Sequence, residues 1–198
     1  MTVDPADFRS APVLEGRQVR LEPLTSGHAE GLLEAADSDE VFTWLTFGRP
    51  TTLAQARALV DFYLTNPALT AWAQIDLASG RVAGLTTYYD VDAAQRTVAI
   101  GYTWLGSAFW RTGVNTESKL LLLTRAFDEL GCVRVVWHTD ARNERSQNAI
   151  QRLGARREGT LRKHKIRRDG TWRDTALFSM TDDEWPGARA ALRASLDR

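Results

Sequence analysis

Trp110-Arg111-Thr112-Gly113-Val114-Asn115-Thr116 lies between a strand ending near Leu105 and the strongest helical pattern of the chain. Over residues 116–130, Leu120, Leu123, Phe127 and Leu130 step by three and four, with Leu121 and Leu122 widening the apolar stripe. Gly131 then supplies a C-terminal cap. A helix start carries backbone N–H groups with no internal partner and the positive end of the helix dipole. That combination suits a pyrophosphate. Gly113 lets backbone come close to such a group, Arg111 adds a charge and Thr116 a hydroxyl. Taken alone, the same residues also read as an ordinary glycine turn followed by a helix cap at Asn115 or Thr116.

Outward from this turn, the chain reads as strand, two helices, three strands, helix, strand, helix and two strands. Residues 17–24 alternate as a half-buried strand does, and helices follow to about residue 36 and over 52–65. Strands at 70–77 and 81–91 flank Ser79-Gly80 as a hairpin. In 96–105, Val98, Ile100, Tyr102 and Trp104 fall at period two and are expected on one face. A strand at 133–139, a helix at 144–153 stopped by Gly154, and strands at 156–168 and 171–180 around Asp169-Gly170 complete the sheet. A short helix is expected after Trp185-Pro186. The order implies an α/β fold with a mixed, mostly antiparallel sheet of about seven strands and a strand-helix-strand unit in its second half.

Composition narrows the function. The chain has 198 residues, read as one domain over 1–198, with 43% hydrophobic and 25% charged residues. Twenty-five basic residues balance twenty-five acidic ones, so no global field points to nucleic acid or a membrane surface. The single Cys132 excludes an intramolecular disulfide, and His28, His138 and His164 lack ligand-like spacing, so no metal is expected. No secretory signal and no apolar run of roughly 20 residues is present, which leads us to expect a cytoplasmic protein. The run Arg162-Lys163-His164-Lys165-Ile166-Arg167-Arg168 keeps open a ribosome- or RNA-binding module, although strand alternation sends its charges to both faces.

Ile100-Gly101-Tyr102, followed by Trp110 to Glu117, resembles the acetyl-CoA motif of GNAT acetyltransferases, and more narrowly the RimJ/RimL-type branch of ribosomal-protein N-terminal acetyltransferases. The stretch Asn143-Glu144-Arg145-Ser146-Gln147-Asn148-Ala149-Ile150-Gln151-Arg152-Leu153-Gly154 resembles the second motif of that branch, and Glu158-Gly159-Thr160-Leu161-Arg162 its continuation. The resemblance spans about residues 16–186. It implies acetyl-CoA as co-substrate, held by Trp110, Arg111, Thr112, Gly113, Val114, Asn115 and Thr116 at the phosphates. It further implies that Thr103, Trp104 and Leu105 pair along the pantetheine arm in a gap between splayed strands, and that Asn143 and Ser146 lie at the next helix mouth. Trp110 and Asn115 depart from the superfamily pattern, which leaves Gly113 and the backbone to carry the phosphates, with Asn115 accepting the unusual backbone angles.

By the same resemblance Ser146 protonates the departing CoA thiolate, in a direct attack by a neutral primary amine without a covalent intermediate. Ser146, Ala149, Ile150 and Leu153 share one helical stripe, so Ser146 is expected to face inward. The strand position where many relatives carry a glutamate base is Ala99, and a second carboxylate position falls near Lys165. Asp90, His138, His164 and Asp174 remain candidates for the base, as does water. Residues 41–48 match the place of an acceptor-binding loop, and Tyr88, Tyr89 and Trp172 are candidate aromatic walls. The acceptor, a small-molecule or peptide amine, is left open, as is a GNAT domain without catalysis; a homodimer is common in the branch.

Overall fold

The computed structural model describes residues 3–197. Eight strands form one sheet in the order β1-β2-β3-β4-β5-β6-β8-β7. They are β1 (Leu14–Glu15), β2 (Val19–Pro23), β3 (Thr70–Asp76), β4 (Val82–Asp92), β5 (Thr97–Leu105), β6 (Arg134–Asp140), β7 (Arg156–Ile166) and β8 (Trp172–Thr181). Every neighbouring pair is antiparallel except β5–β6. The helices are α1 (Ala29–Ala35), α2 (Leu53–Thr65), α3 (Val114–Thr124), α4 (Glu144–Arg152) and α5 (Trp185–Leu196). The two-residue β1 adds an eighth strand to the seven expected, and the closing helix expected after Trp185-Pro186 is α5, twelve residues long.

The apolar stripes sort the helices to opposite faces. Leu32 of α1 and Ala56, Val60 and Tyr63 of α2 bury against Ala73, Leu85 and Trp104. On the other face Leu122 and Leu123 of α3, Ile150 of α4 and Leu192 of α5 join Val98, Ile100, Val135 and Phe178. Burial of this kind contributes roughly 1.5–3 kcal/mol for each large side chain. Among the described residues, the face that carries α1 and α2 is uncovered beyond β5, where no helix packs opposite α4 and α5.

Two sequence expectations for this core are corrected. Along α3 it is Ser118, Lys119, Leu122 and Leu123 that are fully buried, while Leu120 and Leu121 are half-buried. Leu123, Phe127 and Leu130 of the expected stripe are buried as read, and the Thr86 and Thr103 hydroxyls accommodate Lys119 beside them. In β5 the period-two face breaks: Val98 and Ile100 face α3, whereas Tyr102 and Trp104 join the cluster beneath α1 and α2. A β-bulge causes this. Thr87 pairs with Gly101 but Leu85 pairs with Trp104, so β5 carries one residue more than β4 between these pairs, and Tyr102 takes φ +49°. Gly84 opposite is obligatory, since a Cβ there would come within 2.0 Å of the Trp104 carbonyl oxygen. The buried Gln74 amide donates to the Leu85 and Trp104 carbonyls and holds the distorted register.

Candidate active site

Beyond the bulge the sheet opens. β5 and β6 pair at only three positions, Thr97↔Arg134, Val98↔Val135 and Ala99↔Val136. β6 continues with β8 to Asp140↔Thr175, so β5 from Ile100 to Leu105 has no β6 partner. Those six residues offer an edge about 20 Å long, at about 3.3 Å per residue. The N-termini of α3 and α4 flank this fork.

At the first mouth, Gly113 is the N-cap of α3, whose first residue, Val114, comes two residues before the helix start expected near Thr116. Asn115 therefore lies inside the helix, and the left-handed residue is Arg111, at φ +60°. Among the described residues, the amides of Arg111, Thr112, Gly113, Asn115 and Thr116 donate no hydrogen bond within the chain. Val114 N–H reaches the Thr112 hydroxyl, which itself donates to Phe109 carbonyl at 2.7 Å. Gly113 has an ordinary helical backbone; what its missing side chain makes room for is Gln18, whose Oε1 would lie 2.0 Å from a Cβ. The buried carboxylate of Glu117 fastens this contact by accepting the amides of Arg17, Gln18 and Val19 at 2.6–2.9 Å. The role foreseen for Gly113, close approach to a ligand, is thus joined by close packing of the β1–β2 turn on α3.

Trp110 turns back toward the fork. Its indole N–H donates to the Leu105 carbonyl at 2.9 Å, and the Arg145 guanidinium of α4 lies 4.0 Å above its ring. The two mouths are thereby linked across the gap.

At the second mouth, Asn143 caps α4 by accepting Ser146 N–H at 3.0 Å, which leaves its side-chain NH₂ free for other work. The half-buried Ser146 hydroxyl makes no hydrogen bond among the described residues, while Ile150 and Leu153 on the same stripe are buried. A cavity of about 260 Å³ lies at the start of α4, lined by Glu40, Thr43 and Trp44 on one side and by Arg142, Asn143, Glu144 and Arg145 on the other, without Ser146 in its wall. This brings part of the expected acceptor loop to α4. Phe42 and Phe47 of the same loop are instead core packing, 6.0 Å apart, with Phe42 5.1 Å from Trp104.

On the uncovered face of the fork, Tyr89 of β4, Ala99 of β5 and Val136 of β6 are in register, and His138 follows two residues on. The Tyr89 hydroxyl lies 2.8 Å from His138 Nδ1. Tyr89 crosses β5 to reach it, over Gly101, where a Cβ would meet the tyrosine ring at 2.6 Å. The His138 and His164 rings are 5.9 Å apart, and His164 Nδ1 lies 3.2 Å from the Thr175 hydroxyl. Burial lowers the His138 pKa below the ordinary imidazole value; Asp90 opposes, and His164, Lys165 and Arg173 assist. Burial raises the Tyr89 hydroxyl well above its usual range.

The other candidates disperse. Tyr88 is fully buried and donates to the Leu122 carbonyl, so it is core rather than an acceptor wall. Trp172 is exposed at the start of β8. Asp174 accepts Lys163 N–H at 2.7 Å. Arg167, from the basic run, is bound to the buried Asp140 at 2.6 Å and locks the β7–β8 hairpin to the end of β6. Cys132 is buried and its thiol pushed up to about 12 by that burial, which suits packing rather than nucleophilic chemistry.

Two residues escaped the sequence reading, Arg173 beside Tyr89 and Lys119, and the bulge at Tyr102 was not foreseen. The Lys119 ammonium position is buried under the sheet, with Nζ 2.9 Å from Thr86 Oγ1 and 2.8 Å from Thr103 Oγ1. Desolvation lowers its pKa to about 7. A lysine inside an otherwise apolar helical stripe was the available signal.

Residues 18–156 match the model of the acetyltransferase (GNAT) domain. The chain belongs to the GNAT acetyltransferase family. By class it is an acyl-CoA N-acetyltransferase. It is 30% identical over 113 residues to a Bacillus subtilis protein described as putative ribosomal N-acetyltransferase YdaF, covering 57% of this chain and 61% of that protein. A GCN5-related N-acetyltransferase from Brucella melitensis superposes with a TM-score of 0.91 at 36% identity, covering 94% of this chain and 86% of the other. RimJ from Mycobacterium smegmatis, solved with CoA-disulfide, shares the fold with a TM-score of 0.77 at 21% identity, covering 96% of each chain. The RimJ/RimL-type likeness of the two GNAT motifs agrees with these relatives. Among the described residues, no group of three His, Cys, Asp or Glu side chains is placed to hold a metal, and no helix is long and apolar enough to cross a membrane.

Proposed function

We propose that this GNAT domain transfers an acetyl group from acetyl-CoA to the primary amine of a small molecule or a peptide N-terminus. The observation that carries the reading is the fork. An unpaired β5 edge, flanked by two helix N-termini, presents free amides at one end and an unpartnered Ser146 hydroxyl at the other. The free amides of Arg111 to Thr116 fit a pyrophosphate, with the exposed Arg111 side chain beside them. Thr103 to Leu105 fit an extended arm, which would pair with them as an added strand. When bound, acetyl-CoA supplies an activated thioester carbonyl.

In this reading Asn143 orders the first turn of α4 and so aims Ser146. Ser146 donates its proton toward the sulfur as negative charge develops there. The cavity between Trp44 and Arg142 supports entry of an acceptor along α4. The test is thiol release from acetyl-CoA, measured over peptide N-termini, polyamines, amino acids and amine antibiotics. Acetyl-CoA binding with turnover of one class supports the reading; no turnover across the panel would leave an acetyl-CoA-binding domain without catalysis.

A further inference from the structure

The carboxylate that many GNAT strands carry is absent here, since Ala99 occupies its position. The structure shows what occupies the space instead. Ala99 and Gly101 are too small to fill the uncovered face of β5, and the Tyr89 ring lies over Gly101 to meet His138 on β6. His138 lies two residues beyond the last β5–β6 pair, inside the fork rather than in the closed sheet. Its Nε2 has no hydrogen-bond partner among the described residues. We propose that His138 is the general base of the transfer, with its Nδ1–H donated to Tyr89 Oη and its bare Nε2 taking a proton from the acceptor amine. The inference rests on the acetyltransferase reading above.

The protons balance. An ammonium acceptor has three: one leaves through His138 Nε2 to water, one stays on the amide nitrogen, and one ends on the CoA sulfur by way of Ser146. The new C–N bond forms from the freed nitrogen lone pair, and the C–S bond breaks with its electron pair going to sulfur. Tyr89 is a positioning residue: its oxygen selects the tautomer that leaves Nε2 free. Charged and titratable groups face His138 from the surrounding strands. They are Tyr89 and Asp90 of β4, His164 and Lys165 of β7, and Arg173 of β8, while Tyr102 of β5 packs edge-on against Tyr89 at 5.4 Å. Burial and the positive groups outweigh Asp90, so the imidazole pKa is held below its ordinary value and the neutral ring is favoured.

The test pairs two amines with His138→Asn, which keeps a donor for Tyr89 and removes Nε2. With a strongly basic alkylamine, kcat/KM should fall roughly hundredfold or more, the usual range for loss of a general base. With methoxyamine, already neutral at pH 7, it should fall by less than about threefold, because no proton need be removed before attack. In the enzyme without acetyl-CoA, ¹⁵N NMR of the His138 ring at pH 7.5 should show Nδ1 protonated and Nε2 bare, and Tyr89→Phe should shift its titration. Equal losses with both amines, no loss with the alkylamine, or a protonated Nε2 would each overturn the proposal. A wild-type chain that turns over neither amine removes the acetyltransferase reading itself. Turnover by wild type with an unaffected variant removes His138 alone. His138→Gln serves as the second variant if His138→Asn folds poorly by circular dichroism.

Discussion

The two sides of the fork are built from different material. On the helix side, toward α3 and α4, the candidate groups are backbone amides, a capping asparagine and a first-turn serine. On the open side they are side chains drawn from five strands: Tyr89, Tyr102, His138, His164 and Arg173. The difference teaches where tolerance lies. A backbone site should tolerate changes of side chain, such as Trp110 and Asn115 at two altered motif positions. A side-chain site depends on register, and a single bulge at Tyr102 decides which residues meet.

Substitutions can break this contrast in order of expected effect. Ser146→Ala should lower kcat by about a hundredfold while leaving the acetyl-CoA Kd within about twofold, since only a transition-state contact is lost. Stopped-flow turnover and calorimetric binding would separate the two, and an unchanged kcat would remove Ser146 from the chemistry. Gly113→Val should weaken acetyl-CoA binding by about tenfold or more, as overpacking against Gln18 costs about 1–3 kcal/mol. If the clash is with Gln18, adding Gln18→Ala restores part of that affinity. If no affinity returns, the lost glycine acts on the ligand itself.

Lys119 sharpens the comparison from within the core. Its folded-state pKa of about 7 lies below the ordinary 10.5, so between these values the unfolded chain holds a proton that the folded chain lacks. Stability should therefore rise as pH climbs from about 7 toward 10.5. Lys119→Met should flatten that slope and be at least as stable at pH 7, because Thr86 and Thr103, 2.8 Å apart, keep each other as partners. Urea titrations across that window would read it, and a variant with the wild-type slope would contradict the burial argument. The smallest effect belongs to Cys132→Ala, which should leave turnover within about twofold and cost roughly 1 kcal/mol of packing. Trapped acetyl-Cys132 together with lost activity would point to a covalent route.

How much was legible follows from these elements. The helix pattern of residues 116–130 and the capping asparagine at 143 are local features, set by spacing and by unpaired amides, and the structure realises both, with the first helix starting two residues early at Val114. The strand at 96–105 was found, but its facing was not, because a bulge moves residues to the opposite face without altering the local pattern. The histidines were named among four candidates with nothing to separate them. Only the paired strands bring Tyr89 within 2.8 Å of His138, forty-nine residues away in sequence.

By itself, then, the sequence determined the element order, the two helix starts and the motif likeness that leads to the GNAT family. These depend on residues close together in the chain, whose backbone groups interact whatever else the protein does. The tertiary structure alone decided that the sheet opens after Ala99↔Val136, that Gly113 packs on Gln18, that Lys119 is dry, and that His138 meets Tyr89. Those outcomes hang on register between distant strands and on which face a side chain takes. Both are settled by packing across the whole sheet, not by any one stretch of it.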